Sequence, residues 1–212
     1  MPVLTVIAGQ NGSGKSTLVQ AHRLQTIDPD RLARGYGQGF SNAANARAAR
    51  EALHLQAQAL AGRQSFGIET TLAGKQPLRR MEEAREAEYE VRLAFVIPES
   101  ENTRLRIDVR VQEGGHNIAD ADLERRRPRV LEHLPEAMRR ADMTALYLAN
   151  IQDRNFVLVG AAYRDEVKLS AQVPDHIRHL IEQQFQVEAV ESVSQDHPIT
   201  QHFQRQVQQS GE

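Results

Sequence analysis

The chain has no cysteine among its 212 residues. That excludes disulfides and thiolate metal sites, and it fits a reducing compartment. It has no run approaching ~18 apolar residues, so nothing in it reads as a membrane-spanning helix. The opening MPVLTVIAGQNG carries too short an apolar stretch for a secretory signal and no basic flank. It also lacks an excess of either charge. The net charge is -2 with both signs interspersed, so no basic footprint points to nucleic acid. No internal repeat is present, and 40% hydrophobic residues over 212 positions is enough for one core. The expectation is one cytoplasmic domain over 1–185, with 186–212 as a weakly ordered or peripheral tail, since residues 201–209 hold five glutamines and the apolar pattern fades.

What is present is a strong motif. Gly9, Gln10, Asn11, Gly12, Ser13, Gly14, Lys15 and Ser16 match GxxxxGK[ST], and Thr17 extends it. The context fits as well: the β-rich apolar run 3–8 precedes it and a helix is expected over 15–23. Glycines let the loop take left-handed conformations and bring backbone N–H groups onto a polyphosphate. The following helix points its positive end at the same anion. Lys15 suits the β- and γ-phosphates, and the Ser16 hydroxyl suits Mg²⁺. The motif implies ATP or GTP with Mg²⁺.

The rest of the chain alternates strand-like and helix-like segments. Strands are expected at 25–27, 65–69, 91–97, 145–149 and 156–160. Helices are expected at 43–61, 76–88, 99–110, 120–140 and 175–185. In the 43–61 helix, Ala46, Ala49, Leu53, Ala57 and Leu60 recur at spacings of three and four and form its expected core face. The 76–88 helix reads as polar and surface-lying. Pro128 and Pro135 are expected to segment the 120–140 helix. The glycine-rich 34–42 stretch reads as a mobile loop. This alternation predicts an α/β fold of the P-loop kinase-like kind: a parallel sheet with helices on both faces, and an arginine-rich helical lid at about 100–140.

Strand C-terminal ends gather along one edge of such a sheet, beside the P-loop. Asp28 and Asp30 fall there. A carboxylate at that edge suits either a general base for an attacking hydroxyl or ordinary Asp-Pro-Asp turn chemistry. Glu69, Thr70 and Thr71 end the third strand at the same edge. They suit a metal-bound water or a substrate hydroxyl, or else a simple polar stop. Arg104, Arg106, Arg110, Arg125, Arg126, Arg127 and Arg129 surround a Gly-Gly-His break. They suit a closing phosphate clamp or a solvated face. The 91–97 strand runs into Pro98-Glu99 with no Walker B aspartate, against a motor or ABC-type ATPase. No NKxD guanine motif is present. The eight histidines show no metal-ligand spacing, and His176 and His179 read as surface residues.

The order of GQNGSGKST (9–17), IDPDRLAR (27–34), SFGIETTLAG (65–74), RVQEGGHNIADADLERRR (110–127) and ALYLAN (145–150) resembles the zeta-toxin group of P-loop kinases, notably its small single-domain members. The resemblance implies an ATP- or GTP-dependent kinase acting on a hydroxyl acceptor such as UDP-N-acetylglucosamine, with an antitoxin as protein partner. By match, Asp30 falls at the catalytic base, Lys15 and Ser16 at the P-loop roles, and Glu69 and Thr70 in the substrate-side segment. Arg110 and Arg126 fall at the phosphate-clamping arginines. The chain departs from the group at Arg127, where a tyrosine is common, and at Leu148-Ala149-Asn150, where many small members have Asp-Asn-Ser. The alternatives are a P-loop NTPase switch and a non-catalytic nucleotide-binding interaction protein.

Overall fold

The fold follows from which segments are buried on two faces and which on one. The computed structural model describes residues 1–36, 41–98, 120–150, 155–163 and 166–193. Strands β1 (Val3–Ala8), β2 (Thr26–Ile27), β3 (Phe66–Thr70), β4 (Glu90–Pro98), β5 (Met143–Asn150), β6 (Asn155–Tyr163), β7 (Glu166–Ser170) and β8 (Val187–Val190) form one sheet in the order β2-β3-β1-β4-β5-β6-β7-β8. The helices are α1 (Lys15–Ala21), α2 (Pro29–Gly35), α3 (Asn42–Ala61), α4 (Gln76–Glu86), α5 (Asp120–Arg140) and α6 (Asp175–Glu182).

β1 lies between β3 and β4, parallel to both, with Ile7 opposite Glu69 and Ala94. Its side chains alternate into two cores. Leu4, Val6 and Ala8 join Phe95, Ile97, Leu78, Met81, Leu134 and Ile177 on one face. Ile7 joins Leu18, Val19, Ala94, Val96 and Tyr147 on the other. A strand sandwiched this way reads as a continuous apolar run because both faces are dry.

The sheet is parallel from β2 through β5, as the alternation predicts, and then changes. β6 is antiparallel to both β5 and β7, and β7 is parallel to β8. No helix intervenes between β5 and β6 among the described residues, and a short connection permits only the antiparallel return. β8 also corrects the tail boundary at 185. Val187–Val190 pairs with β7 and Val193 is buried, so the domain continues past that point. Residues 194–212 lie outside the described residues.

Three helices correct their sequence reading. In α3 the buried residues are Ala44, Ala48, Ala52, Gln56 and Ala59, whereas Leu53 is 41% exposed and Ala46, Ala49 and Ala57 face solvent. In so alanine-rich a helix two faces are nearly equally apolar, so spacings of three and four do not choose between them. α4 buries Leu78, Met81 and Ala84 beneath its polar face. α5 runs unbroken through Pro128 and Pro135. Val130, Leu134, Ala137 and Met138 are buried along it, and that burial outweighs the roughly 3 kcal/mol that an interior proline costs.

Candidate active site

The loop between β1 and α1 is built from backbone that favours glycine. Gly9, Gly12 and Gly14 have φ of 144°, 74° and 100°. A Cβ on Gly9 would stand 2.5 Å from the Val96 carbonyl oxygen and 2.8 Å from Ser13 Oγ. Gly14 caps α1 in the left-handed conformation with no side-chain cap, so the first N–H groups of the helix are left for an anion. Lys15 Nζ donates to the carbonyls of Gly9 (2.8 Å) and Gln10 (2.9 Å), which folds it across the loop. The cradle therefore has the shape and charge that a polyphosphate requires.

Behind it stands Glu69. β3 lies next to β1, and the register sets Ala8 against Thr70 and Ile7 against Glu69. This places the β3 carboxylate beside the start of α1. Ser16 Oγ donates to Glu69 Oε2 at 2.9 Å, and Thr26 Oγ1 donates to Glu69 Oε1 at 3.3 Å. Burial is the main cause that pushes Glu69 above the usual carboxylate range. The Asp28 carboxylate adds to it, against the pull of Ser16, Lys15 and Thr26.

Asp28 holds the start of a helix. It is the N-cap of α2: its Oδ1 accepts from the Asp30 N–H (3.0 Å) and its Oδ2 from the Arg31 N–H (3.2 Å), with Pro29 in the first turn. Burial and the Asp30 carboxylate raise its pKa, opposed by those two N–H groups and Arg34. Asp30 itself is exposed in the first turn of α2. Asp30, Asp28 and Glu69 thus form a row in which each carboxylate feels the next, leading to Ser16.

Thr70 and Thr71 mostly hold their own loop. Thr70 Oγ1 accepts from Leu72 N–H at 3.0 Å, and Thr71 Oγ1 from Ala73 N–H at 3.4 Å. Leu72 is fully buried at φ 62°, a conformation that a γ-branched residue holds only under constraint. Its carbonyl accepts from His133 Nδ1 of α5 at 2.8 Å. Neither Leu72 nor His133 carries a sequence signal. Thr26 carries only a polar side chain at a strand end.

Arg110 lies outside the described residues, as does the expected helix at 99–110 with its Gly-Gly-His break. The side chain of Arg126 is likewise outside them. The glycine-rich 34–42 stretch is partly taken up by α2, which extends to Gly35, and residues 37–40 are not described.

Hard oxygen donors at Ser16, Glu69 and Asp28 suit Mg²⁺. Among the described residues no three acidic or histidine side chains converge on a metal site of their own. Among those residues, too, no helix is long and apolar enough to cross a membrane.

A largely parallel sheet, a glycine-built phosphate loop after its central strand and a carboxylate behind the loop serine define a P-loop protein of the kinase type. The chain belongs to the zeta toxin family, whose sequence model matches residues 1–161. An uncharacterized protein of Haemophilus influenzae is 35% identical over 116 residues, covering 53% of this chain and 83% of its own length. The fold is shared with a chain from the PezAT chromosomal toxin–antitoxin system of Streptococcus pneumoniae. That match has TM-score 0.55 and 17% identity over 99% of this chain and 85% of the other. It is shared also with a chain of the AvrRxo1-ORF1:-ORF2 structure with ATP, at TM-score 0.67 and 13% identity over 99% and 76% of the two chains.

Proposed function

We propose that the protein transfers the γ-phosphate of ATP or GTP to a hydroxyl group of a small molecule. The observation that carries this reading is the Ser16–Glu69 hydrogen bond, which ties the phosphate loop to the carboxylate edge. One set of side chains then faces the nucleotide and the acceptor together. Lys15 leaves the loop carbonyls for the β- and γ-phosphates. Ser16, with Glu69 behind it, would hold Mg²⁺, which when bound neutralises charge on the phosphates. Asp30, exposed and at the same edge, orients the acceptor hydroxyl and takes its proton. Arg110 and Arg126 complete the reading as clamps on the γ-phosphate. Phosphoryl transfer depends mainly on positioning and charge stabilisation, which this set supplies in kind.

The acceptor proposed from the family resemblance is a nucleotide-activated amino sugar such as UDP-N-acetylglucosamine. The proposed protein partner is an antitoxin, a reading supported by the toxin–antitoxin system that shares the fold. The test is label transfer from γ-labelled ATP with Mg²⁺ to a panel of nucleotide sugars, sugars and nucleosides. Label on an acceptor, lost in Lys15→Ala, is the expected result. Steady release of free phosphate with every acceptor ignored would instead mark a nucleotide switch.

A further inference from the structure

The turn that carries Thr70 and Thr71 out of β3 is held at Leu72 from both sides. Leu72 stands at φ 62° with its side chain fully buried. Its N–H donates to Thr70 Oγ1 at 3.0 Å, and its carbonyl accepts from His133 Nδ1 at 2.8 Å. The next N–H, that of Ala73, donates to Thr71 Oγ1 at 3.4 Å. A carbonyl only accepts, so Nδ1 is the ring nitrogen that carries a proton.

His133 comes from α5, 61 residues further along the chain. It lies between Val130 and Leu134, both in the core that α5 shares with β1 and β4, and it is buried itself. A buried imidazole and a buried carbonyl are each costly without a partner. Any core histidine could meet that need. What distinguishes His133 is the place of its partner. Leu72 follows directly on Glu69, Thr70 and Thr71, and Glu69 accepts the hydrogen bond of Ser16 in the phosphate loop.

A leucine released from the left-handed region leaves it, because its Cβ is crowded there. The peptide planes on either side of Leu72 would turn with it and draw their N–H groups away from the two threonines. Held in place, each threonine oxygen accepts one backbone N–H and keeps its own proton to donate. Two rotating hydroxyls thereby become two oriented donors at the carboxylate edge. α5 is also the helix on which Arg126 falls, about two helical turns before His133.

We infer that His133 is a positioning residue for the acceptor. Its bond to the Leu72 carbonyl fixes the turn that aims Thr70 and Thr71 at the acceptor's oxygens, and it ties that turn to the helix of the proposed phosphate clamp. The inference rests on the phosphotransferase reading and deepens it. The phosphate loop takes its shape from its own glycines, so nucleotide binding does not depend on His133.

The experiment uses the full chain and whichever member of the nucleotide-sugar, sugar and nucleoside panel takes label from ATP. His133→Leu removes the donor. His133→Gln places an amide nitrogen near the position of Nε2, and His133→Asn places one near that of Nδ1. His133→Leu and His133→Gln should each raise the acceptor KM about tenfold, with kcat and ATP affinity within about twofold of wild type. His133→Asn should return KM to within about threefold of wild type. A merely structural histidine behaves otherwise: its loss lowers the folded, ATP-binding fraction and kcat with it, and leaves KM alone. If His133→Leu does not fold, the glutamine and asparagine variants carry the comparison. In long-range ¹H–¹⁵N spectra of the wild-type imidazole rings, assigned with His133→Asn, Nδ1 of His133 should carry a proton. A neutral ring protonated at Nε2 alone, an acceptor KM unchanged by His133→Leu and His133→Gln, or a His133→Asn protein no better than His133→Gln would overturn the role and leave the kinase reading standing. Wild-type protein that labels no acceptor would overturn the kinase reading, and this role with it.

Discussion

The phosphate loop and the carboxylate edge face each other across Ser16, and they are made of different material. The loop is backbone: three glycines with positive φ and a lysine drawn over its own carbonyls. The edge is side chain: the Glu69 carboxylate of β3 and the Asp28 carboxylate that caps α2, with pKa values raised first by burial and then by a neighbouring carboxylate. A backbone site costs the folded protein little until a substitution reaches it. A side-chain site of one charge sign costs stability continuously and recovers it when a cation arrives. The loop is therefore expected to lose function and stability together on mutation, and the edge to trade one for the other.

The largest effect is expected at Asp30. As general base it should contribute about 10²–10⁴ in rate, so Asp30→Ala should lose transfer on that scale. Nucleotide affinity, measured with a fluorescent ATP analogue, should stay within about twofold. Gly9→Ala comes next. The added methyl meets the Val96 carbonyl at 2.5 Å in a backbone conformation closed to alanine. Denaturant unfolding should show a loss of roughly 2–4 kcal/mol, with nucleotide binding lost as well.

Glu69→Gln should split function from stability. Activity should fall, because the group behind Ser16 loses its charge. Apo stability should rise at pH above the range in which the folded carboxyl titrates. The sign follows from the raised pKa. The folded protein holds the Glu69 proton to higher pH than the unfolded chain does, so wild-type stability falls as pH rises from the usual carboxylate range through the folded value. Glutamine removes that fall, and the two melting curves should converge at low pH. A glutamine variant less stable than wild type at high pH would contradict this account of a buried carboxylate beside a second one. Asp28→Asn is the smallest change. The amide oxygen can still cap α2 while the charge is gone, so melting temperature should move by no more than about 2 °C.

The same contrast explains what was legible in the sequence. The loop lies within one octapeptide flanked by its own strand and helix, so local pattern was enough. From spacing alone Glu69 and Asp30 were readable only as polar residues at or just past a strand end, and the roles expected of them came from the family resemblance, because Glu69 reaches Ser16 only through β3 pairing with β1 and Asp30 lies on α2. The role of Asp28 as a helix cap was hidden by Asp-Pro-Asp, which serves turns equally well. Leu72 and His133 had no signal at all, since a left-handed leucine held by a histidine 61 residues away is a tertiary arrangement. β7 and β8 were missed for another reason. They are short, and β8 is a half-exposed edge strand, so neither shows the long apolar run that marked β1 and β4.

The most direct test of the account follows labelled γ-phosphate in wild-type and Asp30→Ala protein side by side, with ATP binding measured on the same samples. The account predicts label on a hydroxyl acceptor with wild type, none with the variant, and equal ATP binding by both. Transfer retained by Asp30→Ala, or ATP hydrolysis indifferent to every acceptor, would contradict it.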